Sequence, residues 1–262
     1  MTGTEETPAQ ASGPTFRLAY VPGATPAKWV RIWNERLPDV PLTLVPVAAA
    51  DIADALRAGD ADAGLVRLPV DRTFFSAIPL YTETGVVVVP KDHVVAAVEE
   101  VVLADLADEI VQHPLDDVLP WEGALPGQPA LERPATTADA IELVAAGVGV
   151  LVVPQSLARL HHRRDLTYRT VTDAPGSDVA LAWPQERTTD QVEDFIGIVR
   201  GRTVNSSRGR TTAPEKSEKK AAKKPVARKP TAKGTGRPKP GGRGQGGKPQ
   251  SGGKRGKPRK RS

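Results

Sequence analysis

Strand-like and helix-like hydrophobic patterns alternate along the chain from residue 16 onward. Residues 16–21 predict a first strand, and residues 22–24 predict the turn after it. A helix is predicted next, because Thr25 suits its N-cap and Pro26 its first position. Apolar side chains then recur every four residues, at Trp29, Trp33 and Leu37. Alternation of this kind is typical of α/β proteins with largely parallel sheets.

The same alternation continues through the chain. Further strands are predicted over residues 40–44, 63–66, 78–81, 85–89, 109–112, 148–153, 166–171 and 179–183. Helices are predicted over 51–57, ending at Gly59, over 103–108, over 136–147 with Thr136 and Thr137 as caps, and from Pro154 onward. The valine run at 86–89 predicts a strand covered on both faces.

A last amphipathic helix follows a capping-box pattern formed by Thr188 and Gln191. Its apolar stripe has the spacing i, i+3, i+4, i+7 and consists of Val192, Phe195, Ile196 and Val199. We expect the chain to enter a second lobe near Pro90 and to return with strand 179–183. The first lobe would then hold about 16–90 and 179–203, and the second about 91–178.

Charge divides the chain into two unlike parts. Residues 205–262 contain 20 of the 36 Lys and Arg and two of the 31 Asp and Glu, which gives +18. The 16 basic and 29 acidic residues of 1–204 give −13. The basic segment has no aromatic and almost no large aliphatic side chain, so it cannot offset the entropy of ordering its backbone. We therefore predict disorder over 204–262, and also over residues 1–15.

Composition also limits the compartment and the chemistry. The chain contains no cysteine, which excludes disulfides, thiolate nucleophiles and cysteine metal sites. Residues 1–12 are polar and acidic, unlike a signal peptide. The longest apolar run, residues 144–153, is about half the length that a bilayer crossing needs. These features predict a cytoplasmic protein without a membrane partner, and leave open an association with the nucleoid.

Several segments together resemble the effector-binding domain of LysR-type transcriptional regulators. They are FRLAYVPG, WNERLPDVPLTLV, DIADALRAGDADAGLV and IPLYTETGVVVVPKDH in the first lobe, and LADLADE and ELVAAGVGVLVVPQSLARL in the second. The resemblance implies a type II periplasmic-binding-protein fold, in which two α/β lobes hold a small-molecule effector between them. Family members carry a helix-turn-helix before the first strand, and we expect this chain to lack it and the operator reading it performs.

The candidate ligand residues lie where strands end and helices begin, the usual place for ligands in open α/β folds. The first group is the turn after the first strand, with Pro22, Gly23 and Thr25, which the resemblance assigns to the effector site. Relatives often have hydroxyl or amide side chains there, whereas Gly23 and Ala24 are less suited to a strongly polar effector. An ordinary capped helix is an equal alternative.

Two more groups are candidates. Thr136 and Thr137 start the second-lobe helix and are expected to face the first group across the cleft, with a simple helix cap as an equal alternative. Arg67 follows the third strand, with Thr82 and Glu83 near the end of another. Its guanidinium could bind a ligand carboxylate, and a surface salt bridge is the slightly favoured alternative.

Other motifs do not indicate a cofactor, a metal or an active site. Adjacent helical residues such as His161 and His162 point about 100° apart, and no third ligand is suitably spaced. Gly147-Val148-Gly149 lacks the third glycine and the helix of a dinucleotide fingerprint. No Walker motif, no G-x-S-x-G and no set of acid, base and nucleophile is present. We expect a protein without enzyme activity, cofactor or metal.

Proline and glycine separate the basic residues of the C-terminal segment, which predicts a flexible coil that binds phosphate backbones with little reading of sequence. Residues 1–204 have 14 Arg and two Lys, but the segment has eight Arg and 12 Lys. The segment therefore uses mainly lysine, whereas the rest of the chain uses mainly arginine. The nucleic-acid-binding candidates are Lys219, Lys220, Lys223, Lys224, Arg228, Lys229, Lys254, Arg255, Lys257, Arg259, Lys260 and Arg261. The alternative is a tail that only keeps the protein soluble. Residues 1–204, with their net charge of −13, are a second partner that would attract the tail.

The sequence thus predicts a non-enzymatic effector-binding protein with a basic tail for sequence-independent nucleic acid binding. Its partners would be an unidentified small molecule and nucleic acid, and a homodimer through the folded domain stays open. Two alternatives remain. One is a nucleoid- or ribosome-associated structural protein without a ligand, and the other is an enzyme of the type II binding fold.

Overall fold

Two β-sheets organise the part of the chain that the computed structural model describes, residues 14–123 and 125–202. The first sheet consists of β1 (Phe16–Tyr20), β2 (Leu42–Pro46), β3 (Ala63–Arg67), β4 (Phe75–Glu83) and β11 (Ser177–Pro184). The second consists of β5 (Gly85–Pro90), β6 (Glu100–Val101), β7 (Ile110–Gln112), β8 (Gln128–Pro129), β9 (Val150–Pro154) and β10 (Leu166–Val171). The helices are α1 (Ala27–Arg36), α2 (Ile52–Ala58), α3 (Thr137–Ala145), α4 (Gln155–Leu160) and α5 (Asp190–Val199). Residues 103–106 form a 3₁₀ turn where a short helix was expected.

Both sheets are mixed, so the expectation of largely parallel sheets was wrong. In the first sheet, of order β2-β1-β3-β11-β4, β1 is parallel to its neighbours but β11 is antiparallel to β3 and β4. In the second, of order β6-β10-β5-β9-β7-β8, β5 is antiparallel to both of its neighbours. The reason is that β5 and β11 each enter a sheet directly from the other lobe, without the helical crossover that a parallel pair needs.

The first lobe is closed by an aromatic cluster between its first and last elements. Phe16 on β1 stacks on Trp33 of α1 with ring centroids 4.6 Å apart, and Phe195 of α5 lies 5.3 Å from Phe16. All three side chains are fully buried. The indole nitrogen of Trp33 donates to the Val40 carbonyl at 2.8 Å, so its buried polar group is satisfied. The last helix thus belongs to the first lobe, as expected from the return of the chain with strand 179–183.

The valine strand β5 is buried on both faces, as its sequence predicted. Val86 and Val88 pack into a core with α3 and α4, whereas Val87 and Val89 pack into a separate core on the opposite face. The period of two along a strand explains this division. β5 therefore anchors the second lobe.

The chain crosses between the lobes earlier than expected. Thr84 alone separates β4 of the first sheet from β5 of the second, so the first crossing lies there and not near Pro90. The return runs through residues 172–176 before β11. A Cβ atom added to Gly176 would lie 2.6 Å from Cγ2 of Thr82, and one on Gly85 would lie 2.7 Å from Cβ of Ala174. The two crossings therefore pack together at a distance that only glycine permits.

The helix starts differ in part from the predicted caps. α3 has the expected cap at Thr136, which exchanges hydrogen bonds with Asp139. The cap of α5 is Thr189, and the prediction of Thr188 was wrong by one residue, because the Thr188 hydroxyl accepts from the indole of Trp183. The cap of α1 is Pro26, whose carbonyl accepts from Val30 N at 3.0 Å, so Thr25 is not the N-cap.

Candidate functional site

A buried polar cluster lies where the two lobes meet. Its centre is Arg67, the last residue of β3, whose Nη1 donates to Oε2 of Glu83 at 2.9 Å and to Oγ of Ser177 at 2.6 Å. Nη2 donates to the Pro22 carbonyl at 3.3 Å and lies 3.4 Å from Oγ of Ser156. Four segments distant in sequence therefore converge on one guanidinium. We call Arg67, Glu83, Ser156 and Ser177 the interlobe cluster.

Ser156 connects the cluster to the second lobe. It lies in α4, which packs on β5 and β9, and its hydroxyl donates to Oε2 of Glu83 at 2.7 Å. The neighbouring backbone adds a second link, because Gln155 N donates to the Thr84 carbonyl at 3.0 Å. Pro22, Arg67 and Glu83 all belong to the first sheet or its loops. The hydroxyl of Ser156 thus forms a direct hydrogen bond between the lobes.

The ion pair of Arg67 and Glu83 is almost removed from water. Their side chains are 6% and 9% exposed. A buried charge is costly unless it is paired and hydrogen-bonded, and this pair satisfies both conditions. The salt bridge expected as one alternative for Arg67 is present, although it is buried rather than on the surface. A ligand role for Arg67 stays a prediction.

Gly23 allows the turn after β1 to approach α4. Its φ is +85°, and a Cβ atom there would lie 2.3 Å from Oγ of Ser156 and 3.3 Å from Nη2 of Arg67. Any larger residue would therefore push the lobes apart as well as strain the backbone. This glycine belongs to the interlobe contact through its lack of a side chain.

Tyr81 and Thr82 lie next to Glu83, near the end of β4. Burial raises the pKa of the Tyr81 phenol, and Glu83 raises it further while Arg67 opposes the shift. The phenol therefore stays protonated at neutral pH and keeps a proton to donate. Thr82 is exposed, and its hydroxyl donates to the carboxylate of Asp178 on the adjacent strand β11.

Thr136 and Thr137 are occupied within the second lobe. Thr136 caps α3, and the buried Thr137 donates to Oδ1 of Asp116 at 2.8 Å. Neither hydroxyl has a hydrogen bond to the first lobe within residues 14–123 and 125–202. Their role as ligand residues stays a prediction.

Thr25 lies at a concave surface of the first lobe, separate from the interlobe cluster. An open groove of about 640 Å³ runs between α1 and β2, and its lining includes Tyr20, Thr25, Val30 and Leu44. β2 is at the edge of the first sheet, and Leu44 is 38% exposed. We call this surface the α1/β2 groove.

A third polar group lies in the loop between β7 and α3. Oδ2 of Asp117 accepts from the indole of Trp121 at 2.8 Å and lies 3.4 Å from Nε2 of His113. Nη2 of Arg133 is 3.3 Å from the same imidazole nitrogen. Burial lowers the pKa of His113, and Arg133 lowers it further while Asp117 raises it.

The described residues limit two other interpretations. Within them, no group of three or more His, Asp or Glu side chains could hold a metal ion. Also within them, no helix is both long and apolar enough to span a membrane. The predicted nucleic-acid-binding residues, from Lys219 to Arg261, lie outside the described part of the chain.

Two mixed α/β lobes, two crossings and a polar cluster between the lobes define an effector-binding domain of the type II periplasmic-binding-protein kind. The family model of the LysR substrate binding domain matches residues 9–203. The chain belongs to this family.

Similar curated proteins are bacterial transcription regulators. The chain is 26% identical to the Hca operon transcriptional activator HcaR of Escherichia coli over 200 residues, which cover 72% of the chain and 68% of HcaR. It is 30% identical over 206 residues to a probable hydrogen peroxide-inducible genes activator of Mycobacterium avium, covering 73% and 66%. The counterpart in Mycobacterium leprae is 29% identical, and the chain spans 58% of its length.

Solved structures of effector domains share the fold. The BenM effector-binding domain with its effector benzoate is 21% identical, with a TM-score of 0.60, covering 72% of this chain and 91% of that one. The reduced form of the OxyR regulatory domain from Pseudomonas aeruginosa is 21% identical, with a TM-score of 0.55, covering 71% and 95%. These similarities confirm the two-lobed fold expected from the sequence.

Sequence reasoning did not identify Ser156 and Ser177 as members of the interlobe cluster. Ser156 is 89 positions from Arg67, and Ser177 is 110 positions from it. The only sequence sign for Ser156 is its place after Pro154, in the helix predicted to begin there. Pairing across such distances is set by the topology of the lobes and not by any local pattern.

Proposed function

We propose that this domain binds a small-molecule effector between its two lobes, next to the interlobe cluster. The observation that carries this proposal is the direct bond between the lobes at Ser156 and Glu83, beside the C-terminal ends of β1 and β3. Ligands of open α/β folds favour that position. A molecule that inserts there changes the contact between the lobes, which is how binding can be transmitted to the rest of the protein.

The effector would be chiefly apolar, with a small number of polar groups. Gly23 and Ala24 offer no side-chain donors, and Arg67 is already paired with Glu83. The backbone of the turn at 22–24 and the Tyr81 phenol are the groups best placed to orient it. Mostly apolar pockets with a few placed polar groups are the general pattern of small-molecule sites.

A thermal-shift screen of the full-length chain against a panel of metabolites, including small aromatic carboxylates, tests this proposal. A ligand of the native state raises Tm by mass action, by an amount equivalent to about 2.7 kcal/mol at 100 times its Kd. The shift should shrink in Ser156→Ala and persist in the matched control Ser76→Ala, at the other end of β4. If a compound raises Tm equally in both variants, its binding site lies elsewhere.

The activity is non-enzymatic ligand binding in a regulator, since the curated relatives named above are regulators of transcription and not enzymes. Response to peroxide through a thiol is not available to this chain, because it contains no cysteine. We propose a cytoplasmic location, in keeping with regulators of transcription.

The basic segment would bind nucleic acid without reading sequence. Its 20 Lys and Arg supply the attraction, since residues 1–204 carry −13 and repel a polyanion. If about 6 to 10 of them contact phosphates, affinity should fall by roughly 10³–10⁵ between 50 and 200 mM salt.

A salt titration on two unrelated duplexes tests the role of the tail, using the full chain and a truncation after Gly201. Binding by the full chain alone, equal for both duplexes, is expected. Retained binding by the truncation, or a strong preference for one duplex, would contradict it.

A homodimer of the folded domain would use the α1/β2 groove. The support is an exposed edge strand beside an apolar groove, since edge strands and exposed apolar patches are surfaces that partners cover. Leu44→Lys should shift the mass measured by light scattering toward the monomer, and Val94→Lys, at a residue 74% exposed on the second lobe, should not.

A further inference from the structure

Arg67 and Ser156 both direct a hydrogen-bond donor at the carboxylate of Glu83. Nη1 and Nη2 together contact a carboxylate oxygen, two hydroxyl groups and one backbone carbonyl. The Ser156 hydroxyl donates to the same oxygen, Oε2 of Glu83, that accepts from Arg67. A guanidinium and a hydroxyl aimed at one oxygen form a charge-assisted anion site.

The carboxylate in this site comes from the chain itself. Glu83 is the last residue of β4, directly before the crossing at Thr84, and its side chain turns inward to 9% exposure. A surface carboxylate at a strand end would ordinarily stay in water, because desolvation is costly. Its burial here is supported by the two donors that face it.

We propose that the Arg67 guanidinium and the Ser156 hydroxyl form a carboxylate-binding site between the lobes, and that Glu83 is its built-in ligand. By filling the site, Glu83 holds the turn at Gly23, the end of β3 and helix α4 together without any external anion. A free carboxylate can enter only after Glu83 leaves. The proposal concerns residues of this chain alone and stands whether or not an effector is found.

Removing the carboxylate should therefore create a site for a small anion of the same shape. In Glu83→Ala the missing atoms are Cγ and the carboxylate group. Formate replaces the carboxylate group and is small enough to enter, because it carries only a hydrogen where Cγ was attached. Loss of one partner from a buried ion pair should lower Tm by roughly 5–15 °C for a domain of this size. Formate at 200 mM should recover roughly 3–7 °C of this, if its Kd is near 10 mM.

The experiment is a Tm titration of the full-length chain with sodium formate, against sodium chloride at the same ionic strength. Saturable recovery is expected in Glu83→Ala. None is expected in the wild type, where Glu83 fills the site, in Glu83→Gln, whose amide fills the same space, or in Glu83→Ala combined with Arg67→Ala. The matched control is Asp178→Ala, which removes a carboxylate that pairs with Thr82 on the exposed face.

Formate that stabilises Glu83→Ala no more than chloride does, or that stabilises Asp178→Ala equally, would overturn the proposal. If Glu83→Ala does not fold in chloride, refolding in formate replaces the titration. Recovery in formate but not in chloride then supports the site, and failure in both contradicts it. A negative effector screen changes none of these outcomes, so the two proposals fail separately.

Discussion

Ser156 donates a 2.7 Å hydrogen bond to Glu83, although 73 positions separate the two residues and they belong to different lobes. This bond lies beside the single residue, Thr84, that joins β4 to β5. The contact between the lobes is therefore polar and specific at the point where the chain crosses. A bound ligand, or a change of charge or packing at this point, should therefore affect the structure of both lobes.

Gly23→Ala should destabilise the protein through two effects. A left-handed backbone at φ +85° costs a non-glycine residue about 1–2 kcal/mol, and the new Cβ would lie 2.3 Å from Oγ of Ser156. Gly147→Ala is the matched control, because its φ is +80° but no atom lies within 4 Å of the added Cβ. Urea denaturation should show a larger loss for Gly23→Ala. Equal losses would mean that the turn moves away from α4 at no cost.

Phe195→Ala should weaken the first lobe by about 3–5 kcal/mol, as expected for a large aromatic side chain removed from a core. Phe195 is fully buried, 5.3 Å from Phe16 and 5.9 Å from Trp33. Phe74, which is 39% exposed, supplies the control, and its change to alanine should cost clearly less. Denaturant unfolding of both variants measures the difference. Similar costs would show that α5 does not complete this core.

His113 should make the protein less stable as the pH falls below 7. Burial and Arg133 lower its pKa in the folded state. Between that value and the unfolded value of about 6.5, the unfolded chain binds more protons, so stability rises with pH in this window. Unfolding free energies at pH 5 to 8 should fall more steeply on acidification in the wild type than in His113→Gln. Identical slopes would contradict the assignment.

Hydrogen peroxide should leave the domain unchanged. The chain has no cysteine and one methionine, Met1. Peroxide oxidises thiolates and, more slowly, methionine, so mass spectrometry should find at most one added oxygen, at the N-terminus. Tm and nucleic acid binding should stay the same. A change in either after treatment would show that this chain senses peroxide without sulfur chemistry.

Local sequence patterns were a reliable guide to the elements and a poor one to the contacts between lobes. Apolar period and turn residues placed β1, α2, β10 and the cap of α3 within a residue or two, because these are set by neighbouring residues. The strand direction of β5 and the crossing at Thr84 were missed, since both depend on which sheet a strand joins. Arg67 and Glu83 were chosen together as candidates, but their serine partners come from segments that only the folded topology brings near.

Hydrogen exchange of the full-length chain, with and without the first compound that raises its Tm, tests the interlobe binding site most directly. Amides at 23–24, 82–85 and 155–157 lie on both sides of the interlobe cluster. If the ligand binds between the lobes, added protection should concentrate in these segments of both lobes. Protection confined to one lobe, or to the α1/β2 groove, would contradict binding between the lobes.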